Sequence, residues 1–258
     1  MNPFIQNRGL IANEFKGFTQ NSGMMRTRVA TLGGSLLRPE VENRHAWLQG
    51  LCDVVKEVIS AEFKLALVVG GGAPAREGIE LAKPIIGNDV EALDRIGIAA
   101  TRLNATIVAE ALRFAGNDVA PVIPTDIAAA KEYSEKHAVV VMGGTVPGHT
   151  TDTVAIRLAN HLEAEICIIA TNIGHVYSSD PRKNPDAKKF HSMTHDELLQ
   201  VVGPAEHNKA GSTGVIDSIG AEVARNAGLN LAVIDGRDME RLRAALNGES
   251  FEGTNIEG

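Results

Sequence analysis

From Arg26 onward, short apolar runs alternate with longer amphipathic stretches. Runs that end in glycine occur at 28–34 (RVATLGG), 65–72 (LALVVGGG) and 138–144 (AVVVMGG). Further runs lie at 118–123 (DVAPVI), 165–172 (EICIIATN) and 230–236 (NLAVIDG). Runs of this length, rich in Val and Ile and stopped by Gly, predict strands buried on both faces. Between them the spacing predicts helices. The stretch 46–61 places Trp47, Leu48, Leu51, Val54, Val55, Val58 and Ile59 on one face, and 92–115, 151–163, 219–227 and 239–246 follow the same period. Strands alternating with helices imply an α/β fold, with a mostly parallel sheet covered by helices on both faces. No solenoid-length repeat and no Pro- or Ser-rich linker interrupts it, so one continuous α/β unit is expected, with room for two lobes.

In such sheets a ligand sits beyond the carboxyl ends of the strands. The glycines cluster there: Gly33-Gly34, Gly70-Gly71-Gly72 and Gly143-Gly144, two of the groups followed by a small hydroxyl, Ser35 or Thr145. A single pair is explained by a turn that needs positive φ. Three such pairs at equivalent strand ends point instead to backbone N–H groups that meet anions, and hence to more than one phosphate group. No GxxxxGK[ST] occurs, and no strand is followed by GxGxxG, so neither a Walker loop nor a Rossmann dinucleotide site is present.

Composition narrows the picture further. The chain has 258 residues, 44% apolar and 22% charged, as expected of a globular protein. Its formal charge of -7 opposes the counterion release that favours nucleic-acid binding, so nucleic acid is not the expected partner. No apolar run approaches the ~20 residues of a membrane span, so no membrane partner is expected. Residues 1–25 lack clear periodicity and the marks of a secretory signal; they predict an irregular arm, or translation upstream of a Met24-Met25 start, on a cytoplasmic protein. Cys52 and Cys167 sit far apart in apolar settings and are expected as buried free thiols, and no residue cluster has metal spacing.

Four segments carry candidate chemistry. MGGTVPGHTTD (142–152) brings Thr145, His149, Thr150 and Thr151 close to Asp152, which stands where a helix N-cap would. ATNIGHVYSSDP (170–181) carries Thr171, Asn172, Tyr177 and Asp180; its bland reading is a surface turn. VVGGGAPARE places Arg76 one helical turn past the glycines, suited to a phosphate. KAGSTGVIDSIGAE holds Lys209, Ser212 and Asp217 before a helix, where a solvated loop with a cap is an equal alternative.

The segments LGGSLL, VVGGGAPAR, DRIGIAATRLNA, VMGGTVPGHTTDTVA, TNIGHVYSSDP, KAGSTGVID and VIDGRD, in this order and spacing, resemble the amino acid kinase superfamily, and most of all its archaeal-type UMP kinases. The likeness runs from about residue 26 to 258. It implies a three-layer αβα sandwich around a mainly parallel sheet of about eight strands. Residues 26–165 would bind the acceptor and 166–258 would bind ATP. The implied reaction is direct in-line transfer from ATP to UMP, giving UDP, with Mg2+ carried mainly by the nucleotide phosphates and no protein metal site. A homohexamer, a trimer of dimers, is also implied, and the apolar helix around Trp47 is a candidate subunit contact. Position by position, the resemblance assigns Gly33, Gly34, Ser35, Gly72, Arg76, Thr171, Asn172, Tyr177 and Asp180 to ATP. It assigns Gly71, Asp94, Thr145, Val146, Pro147, Gly148, His149, Thr150 and Thr151 to UMP, with Asp94 toward the ribose. Asp152 would organise the groups around the transferred phosphoryl, Arg76 would supply a fixed charge between the two phosphates, and Lys209 would follow the γ-phosphate.

Two positions depart from the pattern. The superfamily's lysine before the first glycine pair is absent from TLGGS, as is usual for the archaeal type. NIGHVY replaces the usual NVDGVY, so Gly174 and His175 stand for Asp-Gly; His175 is either a side chain on an exposed turn or a change to the ATP end. The rival readings are another small-molecule kinase of this fold, for isopentenyl phosphate or carbamate, and a non-catalytic nucleotide or oxyanion storage protein.

Overall fold

The computed structural model describes residues 25–37, 44–181, 183–203 and 215–258. Seven strands form one sheet in the order β3-β2-β1-β4-β8-β9-β7. Its parallel centre consists of β1 (Arg26–Leu32), β2 (Phe63–Val69), β3 (Val139–Met142), β4 (Ile166–Thr171) and β8 (Leu231–Asp235). At one edge β9 (Gly253–Glu257) runs antiparallel to β8, and β7 (Ser192–Thr194) runs parallel to β9. A separate ribbon pairs β5 (Val176–Tyr177) with β6 (Lys189–Phe190). The main sheet therefore has seven strands among the described residues, where about eight were expected.

The central strands are buried on both faces, as their unbroken apolar runs require. Alternate residues divide between two cores. Ala30, Leu32, Leu65, Leu67 and Val69 pack with α1 (Arg44–Ser60), α3 (Val90–Phe114) and α8 (Met239–Asn247). Val29, Ala66, Val68, Cys167 and Ile169 pack with α4 (Ile127–Lys136), α5 (Thr151–His161) and α7 (Ser218–Ala227). Cys52 and Cys167 are buried free thiols, as expected.

The segment 118–123 does not form a strand. Only Val119 makes a bridge, to Val139. Pro121 lacks the N–H that a ladder would need, and Pro124 follows closely. Helices α2 (Gly72–Ile86), α4 and α6 (His195–Val202) were not evident from periodicity. The first two each bury a single residue completely, Ala73 and Ala130, so no broad apolar stripe marks them. Trp47 is not available as a subunit contact. It is buried at 7% exposure, and its indole N–H donates a 2.7 Å bond to the Gly236 carbonyl, tying α1 to the tip of β8. The exposed apolar side chains lie elsewhere, at Leu81 and Ile85 on α2 and Leu103, Ile107 and Phe114 on α3.

Candidate active site

Because β1, β2, β3, β4 and β8 are parallel, their carboxyl ends share one edge, and all three glycine groups sit there. The Gly33-Gly34 turn continues from β1 into a short 3-10 helix, Gly34–Leu37. It lies between the β2 and β4 tips: Gly33 N–H donates to Ala170 O at 2.8 Å, and Gly70 N–H donates to Leu32 O at 2.9 Å. A Cβ on Gly34 would lie 2.6 Å from Gly72 Cα and 2.7 Å from Gly70 O. A Cβ on Gly143 would meet Thr101 Oγ1 at 2.5 Å and Arg102 N at 2.8 Å. These glycines thus let backbones pack on one another, which is a separate need from that of an incoming anion. Gly72 adopts φ +59, the left-handed region, as α2 begins.

Two clefts flank the β1 tip. The first, about 340 Å³, is lined by Gly71, Gly72, Arg76, Asp94, Thr101, Gly144, Val146, His149, Thr150 and Thr151, with Ala75, Ile79, Gly97 and Ile98 as its apolar wall. The residues assigned to UMP from sequence gather here. Thr145, Pro147 and Gly148 belong to the same loop without lining the cleft. Gly72 and Arg76, expected with ATP, line this cleft rather than the second, and Gly72 also abuts Gly34, so it stands at the junction of the two sides. One oxygen of Asp94 accepts a 2.7 Å bond from Gly148 N–H, which pins the loop tip.

The short TRLN segment of α3 holds this cleft in shape, a role that no local pattern in the sequence marks. Thr101 Oγ1 accepts from Gly144 N–H at 2.7 Å, and Arg102 Nε donates to Gly144 O at 3.2 Å. Asn104 Nδ2 donates to Gly70 O at 2.7 Å and Gly71 O at 3.0 Å. Buried carbonyls without such partners would carry a desolvation penalty, so one helix face sets two glycine turns at once.

The second cleft, about 370 Å³, lies beyond β4 and β8. Its lining includes Asn172, Gly174, His175, Tyr177, Pro181, Lys189, Asp235, Arg237 and Arg241. Thr171 ends β4 beside it, and Asp180 immediately precedes Pro181. Arg237 grips Asp235 with two bonds, at 2.8 and 2.6 Å. Burial pushes the Asp235 carboxyl up, but the Arg237 hydrogen bonds and charge overcome it and leave the carboxyl below its ordinary value. His175 is not an exposed turn residue. It is 3% exposed, its ring stands edge-on to His191 at 5.1 Å, and its Nε2 has no hydrogen-bond partner among the described residues. Burial holds its pKa down, and neighbouring Lys189, His191 and Arg241 add to the effect against Glu252.

Asp152 lies in the first turn of α5, but it is not the cap. Thr150 is, its hydroxyl accepting from Thr153 N–H at 3.1 Å. The Asp152 carboxylate instead accepts a 2.9 Å bond from Thr31 Oγ1, on β1 two residues before the Gly33-Gly34 pair. Burial raises its pKa to about 7, Asp217 adds to the rise, and the Thr31 bond opposes it. Lys209 and Ser212 lie outside the described residues, as do residues 1–24 of the expected N-terminal arm.

A parallel sheet between helical layers, with a glycine-lined edge, one cleft beside the β2 tip and another beyond β4 and β8, makes this an α/β sandwich. The amino acid kinase family model matches residues 26–235, and the chain belongs to that family. It is 38% identical to the uridylate kinase of Pyrococcus abyssi over 232 residues, covering 89% of this chain and 98% of that protein. It is 39% identical to the uridylate kinase of Methanospirillum hungatei, covering 89% and 94%. The crystal structure of uridylate kinase from Archaeoglobus fulgidus superposes with a TM-score of 0.76 at 36% identity, covering 89% of this chain and 99% of that one.

Proposed function

We propose that this protein is a UMP kinase that transfers the γ-phosphoryl group of ATP directly to the phosphate of UMP, giving UDP for pyrimidine nucleotide synthesis. The observation that carries the reading is the pair of clefts on either side of the Gly33-Gly34 turn. One bears Asp94 and the 144–151 loop; the other bears Asn172 and Tyr177. In this reading residues 26–165 take UMP and 166–258 take the adenosine of ATP, with Gly33, Gly34, Ser35 and Gly72 at the junction where the phosphates meet.

Such a transfer needs little covalent help from the protein. It needs two phosphates held in line and their charge offset. Backbone N–H groups of Gly34, Ser35, Gly71 and Gly72 would supply part of that, those of Gly33 and Gly70 being engaged by Ala170 O and Leu32 O, and Arg76, exposed at the cleft wall, would supply a fixed cation. Lys209 would add a second. Asp94 would exchange its Gly148 partner for ribose hydroxyls. Thr171 and Asp180 frame the nucleoside end beside Asn172 and Tyr177.

In this reading Mg2+ is carried mainly by the nucleotide phosphates. No group of three or more His, Cys, Asp or Glu side chains among the described residues could hold a metal alone. Asp152 is tied through Thr31 to the strand that leads into the Gly33-Gly34 turn, and Mg2+ bound to the phosphates would neutralise charge there when present.

A cytoplasmic location accords with the absence, among the described residues, of any helix long and apolar enough to cross a membrane. For the assembly we favour a homohexamer built as a trimer of dimers. Its apolar contact would be the α2–α3 face bearing Leu81, Ile85, Leu103, Ile107 and Phe114, exposed in the single chain.

Turnover measured with UMP, CMP and isopentenyl phosphate side by side tests the function. UMP is expected to give the highest kcat/KM; better turnover of either rival overturns the reading.

A further inference from the structure

Asp217 has more partners than a helix cap requires. As the N-cap of α7 it accepts from Gly220 N–H at 2.9 Å, which by itself would be met as well by Ser or Asn. Its carboxylate also accepts the Thr153 hydroxyl proton at 2.8 and 2.9 Å, and the Thr150 hydroxyl donates to its Oδ2. Thr153 is completely buried. A threonine inside a helix usually returns its proton to a carbonyl of the preceding turn, whereas this one reaches across to another helix. Gly220 permits the approach, since a Cβ there would lie 3.1 Å from Ile156 Cδ1 and 3.2 Å from Thr153 Oγ1. The Thr150 hydroxyl both accepts from Thr153 N–H and donates to Asp217, so its orientation is set from two sides. Thr150 lines the first cleft, and Asp152 lies between the two threonines in sequence.

We propose that Asp217 is a positioning residue: it locks the Thr150 end of the acceptor loop and the first turn of α5 against α7, so that acceptor phosphate and Asp152 are presented in one fixed register. This rests on the reading of the first cleft as the acceptor site. A charge effect accompanies the geometric one. The groups facing Asp152 are Thr31 from β1, Cys167 from β4 and Asp217 from the start of α7, and of these Asp217 disfavours the ionised form of Asp152.

Steady-state kinetics of Asp217→Ala, Asp217→Asn and Thr150→Val test it. Asp217→Ala is expected to raise the KM for UMP about tenfold, the loss of one charged hydrogen-bond set, while the KM for ATP stays within about twofold. Asp217→Asn keeps a cap acceptor but removes the charge, so the acid limb of its kcat–pH profile is expected to move to lower pH. A structural cap alone would leave the KM for UMP unmoved, while the acid limb reads the Asp217 charge. Wild-type KM for UMP in Asp217→Ala, together with an unmoved acid limb in Asp217→Asn, overturns the proposal. Where Asp217→Ala does not fold, the cycle of Asp217→Asn with Thr150→Val decides: coupled effects on the acceptor KM support the proposal and strictly additive ones overturn it. If the wild-type protein prefers another acceptor, the same comparisons are made with that acceptor. Failure of the UMP reading is then seen in the wild type, and failure of the positioning role in the variants.

Discussion

The Thr31 hydroxyl donates a 2.9 Å hydrogen bond to the Asp152 carboxylate across 121 residues of chain. Thr31 lies on β1 at 1% exposure, just before the turn where the superfamily pattern usually places a lysine. A hydroxyl orients a carboxylate but cannot neutralise it. Burial therefore dominates, and Asp152 is held at about 7 rather than near 3.8. In the free enzyme at neutral pH this group is divided between its two forms, and cations brought by the nucleotide would draw it toward the ionised one.

Thr31→Val removes the hydrogen bond that favours the Asp152 anion while keeping the side-chain shape. The Asp152 pKa is expected to rise further, moving the acid limb of the kcat–pH profile to higher pH and lowering turnover at pH 7 by about three- to tenfold. A profile that superposes on the wild-type curve would separate Thr31 from Asp152 function.

Asp152→Asn is expected to separate stability from turnover. The folded-state pKa lies above the unfolded value, so the stabilising contribution is complete below pH ~4 and is lost as pH rises through about 7. The Asn variant is therefore expected to unfold at higher urea than the wild type at pH 8, by on the order of 1–3 kcal/mol, with the gap closing in acid. Its kcat is expected to fall by about a hundredfold or more, with UMP binding little changed, because the group acts when charge redistributes. Calorimetric UMP titration, urea melts at two pH values and one turnover assay check all three.

His175 has the opposite sign. Its pKa is lowered by burial, so the unfolded chain takes up the proton more readily. The stability it contributes is present above the unfolded value, ~6.5, and is lost as pH falls below it. Burial also lowers His149 and His195, which act in the same direction. His175→Gln is expected to show a shallower loss of stability between pH 6.5 and 5 (about the window set by the unfolded imidazole) than the wild type. An identical slope in urea melts across that range would mean that the buried ring does not titrate on unfolding.

Glycines of the site are expected to differ sharply in tolerance. Gly34→Ala would drive a Cβ into the Gly72 and Gly70 backbone, at 2.6 and 2.7 Å, and is expected to cost about 2–4 kcal/mol or prevent folding. Gly97→Ala has nothing nearer than Ile79 Cδ1 at 3.9 Å and lies inside α3. It is expected to stabilise the protein by roughly 0.5–1 kcal/mol. Because Gly97 lines the first cleft, the same change is expected to raise the KM for UMP. Thermal melts and acceptor kinetics on the two variants read both effects.

The parts legible in sequence were those written locally. Val- and Ile-rich runs stopped by Gly marked β1, β2, β3, β4 and β8 to within a few residues, and helical spacing marked α1, α3, α5, α7 and α8. The run at 118–123 was misleading because apolar content was counted while Pro121 removed a ladder donor. The apolar helix around Trp47 stood as a candidate subunit contact because amphipathic spacing identifies a covered face without saying what covers it. The buried state of His175 was equally hidden: nothing in NIGHVY states that His191 and Tyr177 close around the ring.

By itself the sequence determined a parallel α/β sheet with glycine at several strand tips, and hence the edge at which phosphates can be met. That follows because strand burial and backbone approach depend on the type of each residue and its immediate neighbours. Only the tertiary structure decided which groups share a cleft. Arg76 shares a cleft with Asp94, Thr31 holds Asp152, Asn104 pins the Gly70–Gly71 turn, and Asp217 gathers two threonines from the start of another helix. Each of these pairings joins distant stretches of chain, and its geometry is set by sheet order and helix packing, which no local pattern encodes.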